Sequence, residues 1–452
     1  MKKIFIAGVV VMVSIIECKA THIRGGEIYV KRISGLTCEI TLIGFAKTAS
    51  TVKFGGGTLN FGDGATIVTP QLPDYDLSFD PTTGIYRYVT QHTYAGAGYF
   101  TVSYFERNFD QGIVNFDNSV DTPFYIESGF ILDPQQAQFA NMTFSTHPIF
   151  RFIKGNEIAI SMASTDTTNR IYSYQLIEPN QDAGVAVSGY VFPENLHLNS
   201  QSGLLTWDTK FHGQYVLGEY ALAVKVYQYT EDGKYLGFTT RVFEFIVEDG
   251  ITEFSLSNPV TDPIGRLLVE PGDQRTVKLL LSDTLSADTV YWNLYFPATL
   301  SDHISFDQYD SLTNTRKLKV ARLTFNPTQE IVRNLPYPIL LRGFSYSAVS
   351  FSLLAHDVSF LFFTKDMELP VITSILKQNS VKVFPNPCTT EIMISDLPDG
   401  AVVGLFDQTG RFISATTPDG NGKINTSAWS PGLYIIRVND SGGQSAFKIL
   451  KK

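Results

Sequence analysis

The residues that could perform chemistry are scattered along this chain of 452 residues. None of its seven histidines begins a His-Glu-x-x-His zinc motif. No Gly-x-Ser-x-Gly nucleophile elbow occurs, and Gly55-Gly56-Gly57 lacks the Gly-Lys-Ser/Thr that completes a phosphate loop. Asp307 and Asp310 offer two carboxylates of the kind that glycosidases use, but a strand-rich chain brings acids together by chance. We therefore predict no catalytic residue, no cofactor and no metal site, and we do not expect an enzyme.

Packing explains the remaining chemically interesting side chains. His92 is expected at a strand edge against Tyr94, and a ligand or base role is the minor alternative. Trp207 is expected to anchor a sandwich core, with sugar binding as its alternative. Cys388 directly follows a proline and suits a small apolar filler better than a functional thiol. Residues 163–169 contain a single carboxylate, Asp166, which favours a solvated turn over a calcium loop.

The composition favours a folded protein rich in strands. Hydrophobic residues make up 44% and aromatic residues 13%, and the 35 glycines and 21 prolines suit many turns. The formal net charge is −9, and no run of basic residues occurs. Nucleic-acid binding needs a clustered basic surface, so a nucleic-acid partner is not expected.

The N-terminus has the pattern of a secretory signal peptide. Lys2 and Lys3 precede an apolar stretch, and the segment ends in Cys18-Lys19-Ala20. The pattern predicts cleavage between Ala20 and Thr21, which removes residues 1–20. Lipidation of Cys18 is the alternative, but Glu17 stands where such signals need a small residue. The following chain contains no apolar stretch of about 18 residues, so we predict no transmembrane anchor in the mature protein.

Short strand-like runs separated by turns predict an all-β fold of tandem immunoglobulin-like sandwiches with a small C-terminal β-sandwich. Alternation is clear in Tyr99–Tyr104, for example, and helical periodicity is nearly absent. The predicted units after the signal peptide are 21–128, 129–250, 251–379 and 380–452. Cys38 and Cys388 are far apart in sequence, so no disulfide framework is expected.

The first predicted unit contains Asn60-Phe61-Gly62-Asp63-Gly64, followed by His92-Thr93-Tyr94 and a Gly-x-Tyr-x-Val strand. The two glycines permit a tight turn with positive φ, and Asp63 can hydrogen-bond its own backbone. This pair of segments resembles the signature of polycystic-kidney-disease-type domains, although Leu59 replaces their tryptophan. The start of this unit, 21–28, is similar to the mature start of large surface proteins from gliding Bacteroidetes.

The second predicted unit places Gly203-Leu204-Leu205-Thr206-Trp207 before a Gly218-Glu219-Tyr220 strand. These segments resemble cadherin-like immunoglobulin-like domains, in which the two strands pack across the sandwich. The third unit is assigned as another immunoglobulin-like sandwich from its strand pattern alone.

The C-terminal unit contains an extended Pro385-Asn386-Pro387 segment, a turn around 407–411, a Pro-Gly turn into an alternating strand, and a basic tail. In this order the motifs resemble the type A C-terminal sorting domain of the type IX secretion system of Bacteroidetes. The resemblance assigns the following residues to the sorting signal: Pro385, Asn386, Pro387, Asp407, Gly410, Arg411, Gly432, Tyr434 and Lys448. It implies recognition by the type IX machinery, translocation across the outer membrane, removal of the domain, and surface attachment or release.

Two functions from different classes remain open. The first is an exported structural or adhesion-type protein at the cell surface or outside the cell, with an unknown protein or glycan ligand. The second is a secreted hydrolase or a carbohydrate-binding accessory protein. The second function requires a carboxylate pocket or an exposed aromatic platform, which we expect within 251–375. A module that folds only with calcium is a third, less favoured option.

Overall fold

The structure is a computed structural model. It describes residues 23–71, 82–135, 139–144, 146–164, 170–208, 217–249, 253–257, 266–284, 289–312, 316–333, 335–347, 352–364, 382–395, 402–407, 412–416, 418–419, 422–440 and 443–452. The predicted cleavage site at Ala20 and Thr21, and Asp166 in the predicted turn, lie outside these residues.

The predicted all-β fold is confirmed. The described residues form 31 strands and three short 3-10 turns, at Ser119–Asp121, Ala298–Leu300 and Gln329–Ile331, and they contain no α-helix. No helix among the described residues is long and apolar enough to span a membrane.

The N-terminal half of the chain forms sixteen strands. They are β1 Ile23–Ser34, β2 Thr37–Lys47, β3 Thr58–Asn60, β4 Thr66–Val68, β5 Thr83–Thr93, β6 Gly98–Glu106, β7 Phe124–Leu132, β8 Ile149–Ile153, β9 Glu157–Ser161, β10 Ile171–Ile177, β11 Asn180–Asp182, β12 Val185–Ala186, β13 Leu196–Leu198, β14 Leu204–Asp208, β15 Gly218–Tyr229 and β16 Tyr235–Glu248. One path of hydrogen-bonded neighbours runs β4-β3-β6-β7-β16-β1-β2-β5, and β13-β14-β9 form a separate sheet.

Strands β15 and β16 separate two hydrophobic cores. Because successive side chains of a strand point to opposite faces, alternate residues can enter different cores. Val242 belongs to the first core, with Val30 and Tyr104, whereas Phe243 and Phe245 belong to the second core. Both faces of β16 are therefore covered, and its residues are buried almost throughout.

The strand pairing crosses the predicted boundary at 128/129. Strand β1 from the first predicted unit lies between β2 and β16, with Gly26 opposite Val242. Strand β7 likewise pairs with β16, with Gly129 opposite Phe238. The first two predicted units are therefore joined through a shared sheet, and their boundary stays a prediction.

The third predicted unit is a sandwich of two four-stranded sheets. Its strands are β17 Glu253–Ser257, β18 Arg266–Val269, β19 Arg275–Thr284, β20 Thr289–Tyr295, β21 Ile304–Leu312, β22 Arg316–Phe325, β23 Tyr337–Ser347 and β24 Ser352–Thr364. The sheets are ordered β17-β19-β22-β21 and β18-β24-β23-β20. Phe325 and Phe362 stack across the two sheets at 4.6 Å, and buried Trp292 completes this core.

The C-terminal strands form a smaller sandwich. They are β25 Lys382–Phe384, β26 Glu391–Ser395, β27 Val402–Asp407, β28 Phe412–Thr416, β29 Lys423–Asn425, β30 Gly432–Asp440 and β31 Gly443–Lys451. The sheet β25-β26-β29 packs against β28-β27-β30-β31 through its own hydrophobic cluster, which includes Ile392, Ile424, Leu405 and Ile436.

Candidate functional site

The proline segment of the C-terminal unit lies against the last strand of the chain. Asn386 donates from Nδ2 to the carbonyl of Lys448 at 2.7 Å, and its Oδ1 accepts from the N–H of Leu450 at 2.9 Å. The backbone continues this pairing, since the Cys388 N–H donates to Leu450 at 2.8 Å and the Lys452 N–H donates to Cys388 at 2.9 Å. The segment therefore covers the free edge of β31, where unpaired backbone groups would otherwise be exposed.

Three further motif residues, Asp407, Gly432 and Tyr434, lie on the two central strands of the same sheet. Asp407, at the end of β27, lies opposite Tyr434 of β30. The Tyr434 hydroxyl donates to the Ser430 carbonyl at 3.0 Å, and its ring lies 5.1 Å from that of Trp429. Gly432 begins β30 opposite Lys451. Gly410 and Arg411 lie outside the described residues. The assignment of all nine residues to the sorting signal stays a prediction.

Residues 382–452 match the family described as the secretion system C-terminal sorting domain. This part of the chain is a sorting domain. Such a domain indicates export across the outer membrane. The structure brings Pro385, Asn386 and Pro387 of the sorting domain beside Lys448 and the final strand.

The chain is similar to several solved structures at low sequence identity. The human Desmocollin-1 ectodomain shares 12% identity, with 72% of this chain and 66% of that chain covered and a TM-score of 0.17. Zebrafish RET cadherin-like domains 1 to 4 share 10% identity over 94% of this chain and 96% of that chain, with a TM-score of 0.18. BcpA, the major pilin subunit of Bacillus cereus, shares 9% identity over 67% and 92%, with a TM-score of 0.18.

The strand pairing within the chain itself defines the sandwiches. No curated protein matches the chain in sequence.

The expected core role of Cys388 in the sorting domain is confirmed. Its side chain is buried with Ile392 and Ile449 in the cluster between the two sheets. The other described cysteine, Cys38, is buried in the first core, and burial raises the pKa of its thiol to about 11. Neither of these two cysteines forms a disulfide.

The glycine-aspartate turn of the first core has the predicted geometry. Gly62 and Gly64 have φ values of +86° and +95°, and the Ala65 N–H donates to Asp63 Oδ1 at 3.0 Å. His92 packs edge-on against Tyr94 at 4.7 Å, which confirms its expected position. Its Nε2 also lies 2.7 Å from Asp63 Oδ2, so the turn and the strand are linked directly.

Two other expectations concern side chains with possible roles in sugar chemistry. Trp207 is buried in the second core, and its Nε1 donates to the Glu194 carbonyl, so it is the predicted core anchor. The carboxylate of Asp307 accepts two hydrogen bonds from Arg322 at 2.7 and 2.8 Å. Asp310 forms its own ion pair with Lys319. The two carboxylates thus have separate cross-strand partners.

A buried group of charges was missed by the sequence reasoning. Arg24 Nη2 lies 2.8 Å from Glu219 Oε1, and its Nε lies 3.6 Å from Asp110 and 3.4 Å from Glu244. Lys47 Nζ lies 2.5 Å from Asp110 and 2.8 Å from Glu219. We call these five residues the charge cluster. Glu244 stands between Phe243 and Phe245, and a carboxylate between two aromatic residues is the sequence signal that could have indicated the charge cluster.

The charge cluster supplies its own cations. The three carboxylates have oxygens within 4.8 Å of one another, a spacing that a metal ion could bridge. The guanidinium of Arg24 and the ammonium of Lys47 lie among these same oxygens and repel a further cation. With every group ionised, one negative charge is in excess.

Protonation of one carboxylate of the charge cluster would remove the excess negative charge. Burial raises the pKa of Glu244 well above its usual range, against the opposing effect of Arg24. Burial and the neighbouring Glu219 raise the pKa of Asp110 to about 6. The pKa of Glu219 is lowered despite its burial, because Arg24 and Lys47 favour its ionised form. Among the described residues, no hydrogen-bond donor reaches either carboxylate oxygen of Glu244.

Proposed function

We propose that this protein is a non-enzymatic surface or extracellular protein, exported by the type IX secretion machinery of a Bacteroidetes bacterium. The observation that carries the proposal is the sorting domain at residues 382–452. The C-terminal sandwich has a hydrophobic cluster of its own. This supports its action as a sorting signal that folds independently of the preceding units. In this proposal the signal peptide at 1–20 directs the chain to the periplasm first.

The preceding sandwiches serve as a spacer and a binding surface. Cross-unit contacts support a stiff spacer, because Arg342 of the third unit donates to the Ile149 carbonyl of the second unit at 2.9 Å. Asp357 also accepts from the Arg151 N–H at 2.8 Å. Such buried polar contacts fix the relative orientation of two packed units. The proposed role is structural or adhesive, with a partner at the cell surface or outside the cell.

The test is fractionation of the native bacterium, with mass spectrometry of both protein termini. We expect the full-length protein at the surface or in the medium, starting at Thr21 and lacking its last domain. A version without 380–452 is expected to stay in the periplasm. A periplasmic reporter fused to 380–452 provides the matched control and should be exported. Equal export of the full and truncated chains, with Lys452 retained, would contradict the proposal.

A carbohydrate-binding accessory role is the second candidate. The observation that favours it is a group of partly exposed tyrosines on the outer face of the large sheet. These residues lie between 99 and 235, whereas the sequence pattern placed such a platform within 251–375.

A further inference from the structure

The outer face of β6, β7, β15 and β16 carries four tyrosines at one end of the sheet. Tyr99 is 50% exposed, and the side chains of Tyr227, Tyr229 and Tyr235 are partly exposed. We call these four residues the tyrosine face. It lies at the hairpin end of β15 and β16, where Tyr229 is directly opposite Tyr235. Aromatic residues grouped in this way on a surface are characteristic of binding sites.

Tyr99 lies across the neighbouring strand. Its hydroxyl and the Phe238 ring lie where a Cβ atom at position 129 would clash with them. Glycine at 129 therefore allows the Tyr99 side chain to lie over β7. Half of Tyr99 remains exposed in this position, so the ring presents an open surface to a ligand.

Neighbouring rings extend this surface. The ring centroids of Tyr99 and Tyr235 are 6.4 Å apart, and those of Tyr235 and Tyr229 are 5.7 Å apart. The three rings come from three different strands, so the sheet fixes their spacing. Rigid tyrosine side chains lose little conformational entropy when a ligand binds.

Polar groups border the rings on the same face. Lys225 Nζ donates to Glu127 Oε1 at 3.2 Å and lies 3.6 Å from the Phe238 ring centroid. The Tyr227 hydroxyl donates to Gln175 Oε1 at 3.2 Å, and the Gln175 side chain is exposed. The face thus offers an ammonium, a carboxylate and a carboxamide beside apolar ring surfaces.

We propose that the tyrosine face binds the pyranose rings of a neutral glycan. A sugar ring presents C–H groups on its faces and hydroxyls at its edge, which matches aromatic surfaces bordered by donors and acceptors. Lys225 and Glu127 neutralise each other, so the face does not select a charged ligand. This inference deepens the proposed function and rests on it, because export is what brings the face to extracellular glycans.

Affinity electrophoresis of the purified full-length protein tests the inference. The gels contain soluble β-glucan, xylan, mannan or chitin oligosaccharides coupled to the matrix. We expect at least one of these to retard the wild-type protein. Tyr99→Ala and Tyr235→Ala should each weaken retardation at least tenfold, and Gln175→Ala should weaken it severalfold.

Matched variants separate recognition from folding. Tyr309 is 41% exposed on β21 of the third unit, so Tyr309→Ala should bind like the wild type. Tyr99→Phe keeps the aromatic ring and should retain glycan binding. If Tyr99→Ala fails to fold, the binding of Tyr235→Ala and Gln175→Ala tests the inference. The inference is overturned if no glycan retards the wild type, if the alanine variants bind normally, or if the face binds only a protein ligand. Export of Tyr99→Ala in the bacterium should be normal, which distinguishes this failure from failure of the sorting proposal.

Discussion

The carboxamide of Asn386 binds the backbone of Leu450, 64 positions further along the chain, and holds the last strand of the sorting domain. The Asn386 side chain both accepts and donates, since its Nδ2 donates a hydrogen bond to the Lys448 carbonyl. A short polar side chain thus imitates the backbone of a neighbouring strand. This gives a physical role to the central residue of the Pro-Asn-Pro motif.

Replacing Asn386 with alanine should loosen β31. The substitution removes two hydrogen bonds from an exposed edge, so we expect a loss of about 1 kcal/mol in local stability. Hydrogen exchange by NMR or mass spectrometry should show faster exchange at the Leu450 amide. Asn425→Ala is the matched control, because the Asn425 side chain accepts a local bond from the Ser427 N–H in the same domain. Unchanged protection of Leu450 in Asn386→Ala would disprove the strand-holding role.

Glu106 should make the first core less stable as the pH rises. Burial raises the pKa of its carboxyl from 4.5 to about 7, and the group accepts hydrogen bonds from Tyr104 and the Gly55 N–H. A folded-state pKa above the unfolded value gives stability that is complete below about pH 4.5 and is lost as the pH rises to about 7. Above pH 7, ionisation of Glu106 lowers the free energy of unfolding by about 3 kcal/mol.

Urea unfolding of Glu106→Gln between pH 4 and pH 8 measures this effect. Glutamine cannot ionise, so the variant should lose less stability than the wild type across this range. Glu178→Gln, at an exposed position, serves as the control and should follow the wild type. Parallel pH profiles for wild type and Glu106→Gln would contradict the assignment.

Loss of Arg24 should destabilise the first core strongly. Its side chain is 4% exposed and contacts all three carboxylates of the charge cluster. Removing one partner of a buried ionic group leaves uncompensated charge, at a cost of about 3–5 kcal/mol. Chemical denaturation of Arg24→Met should show this loss. Lys31→Met, on the exposed side of the same strand, should change little.

A second substitution tests the electrostatic cause. Glu219→Gln removes one of the carboxylates that lose their cation in Arg24→Met. The Arg24→Met/Glu219→Gln double variant should therefore recover part of the lost stability. A double variant less stable than Arg24→Met alone would point to lost packing and not to charge.

Asp357→Ala should uncouple the second and third units. The Asp357 carboxylate accepts two bonds from Arg342 at 2.6 Å and one from the Arg151 N–H across the unit boundary. Leaving buried Arg342 without its partner should cost about 3–5 kcal/mol. Hydrogen exchange by mass spectrometry of peptides from β23 and β24 reports unfolding of the third unit, and their protection should be lost at a lower denaturant concentration. Asp310→Ala removes a surface ion pair with Lys319 in the same unit and should leave the midpoint of the unfolding transition unchanged.

Features that depend on local chemistry were predictable from the sequence. The Gly62-Asp63-Gly64 turn follows from the need for positive φ and from the short Asp63 side chain. The burial of Trp207 follows from the size and apolarity of its ring within an alternating strand. The C-terminal motifs likewise indicated the sorting domain that the family match supports.

The sequence by itself therefore determined the class of fold, the conformation of the glycine-aspartate turn and the motifs of the sorting domain, because these depend on residues that are close together in the chain. Only the tertiary structure decided that β1 joins β16, that Arg24 meets Glu244, and that Tyr99 lies beside Tyr235. Each of these contacts joins residues far apart in the chain. No periodicity or spacing encodes them, because strand order in a sheet is set by packing of the whole molecule.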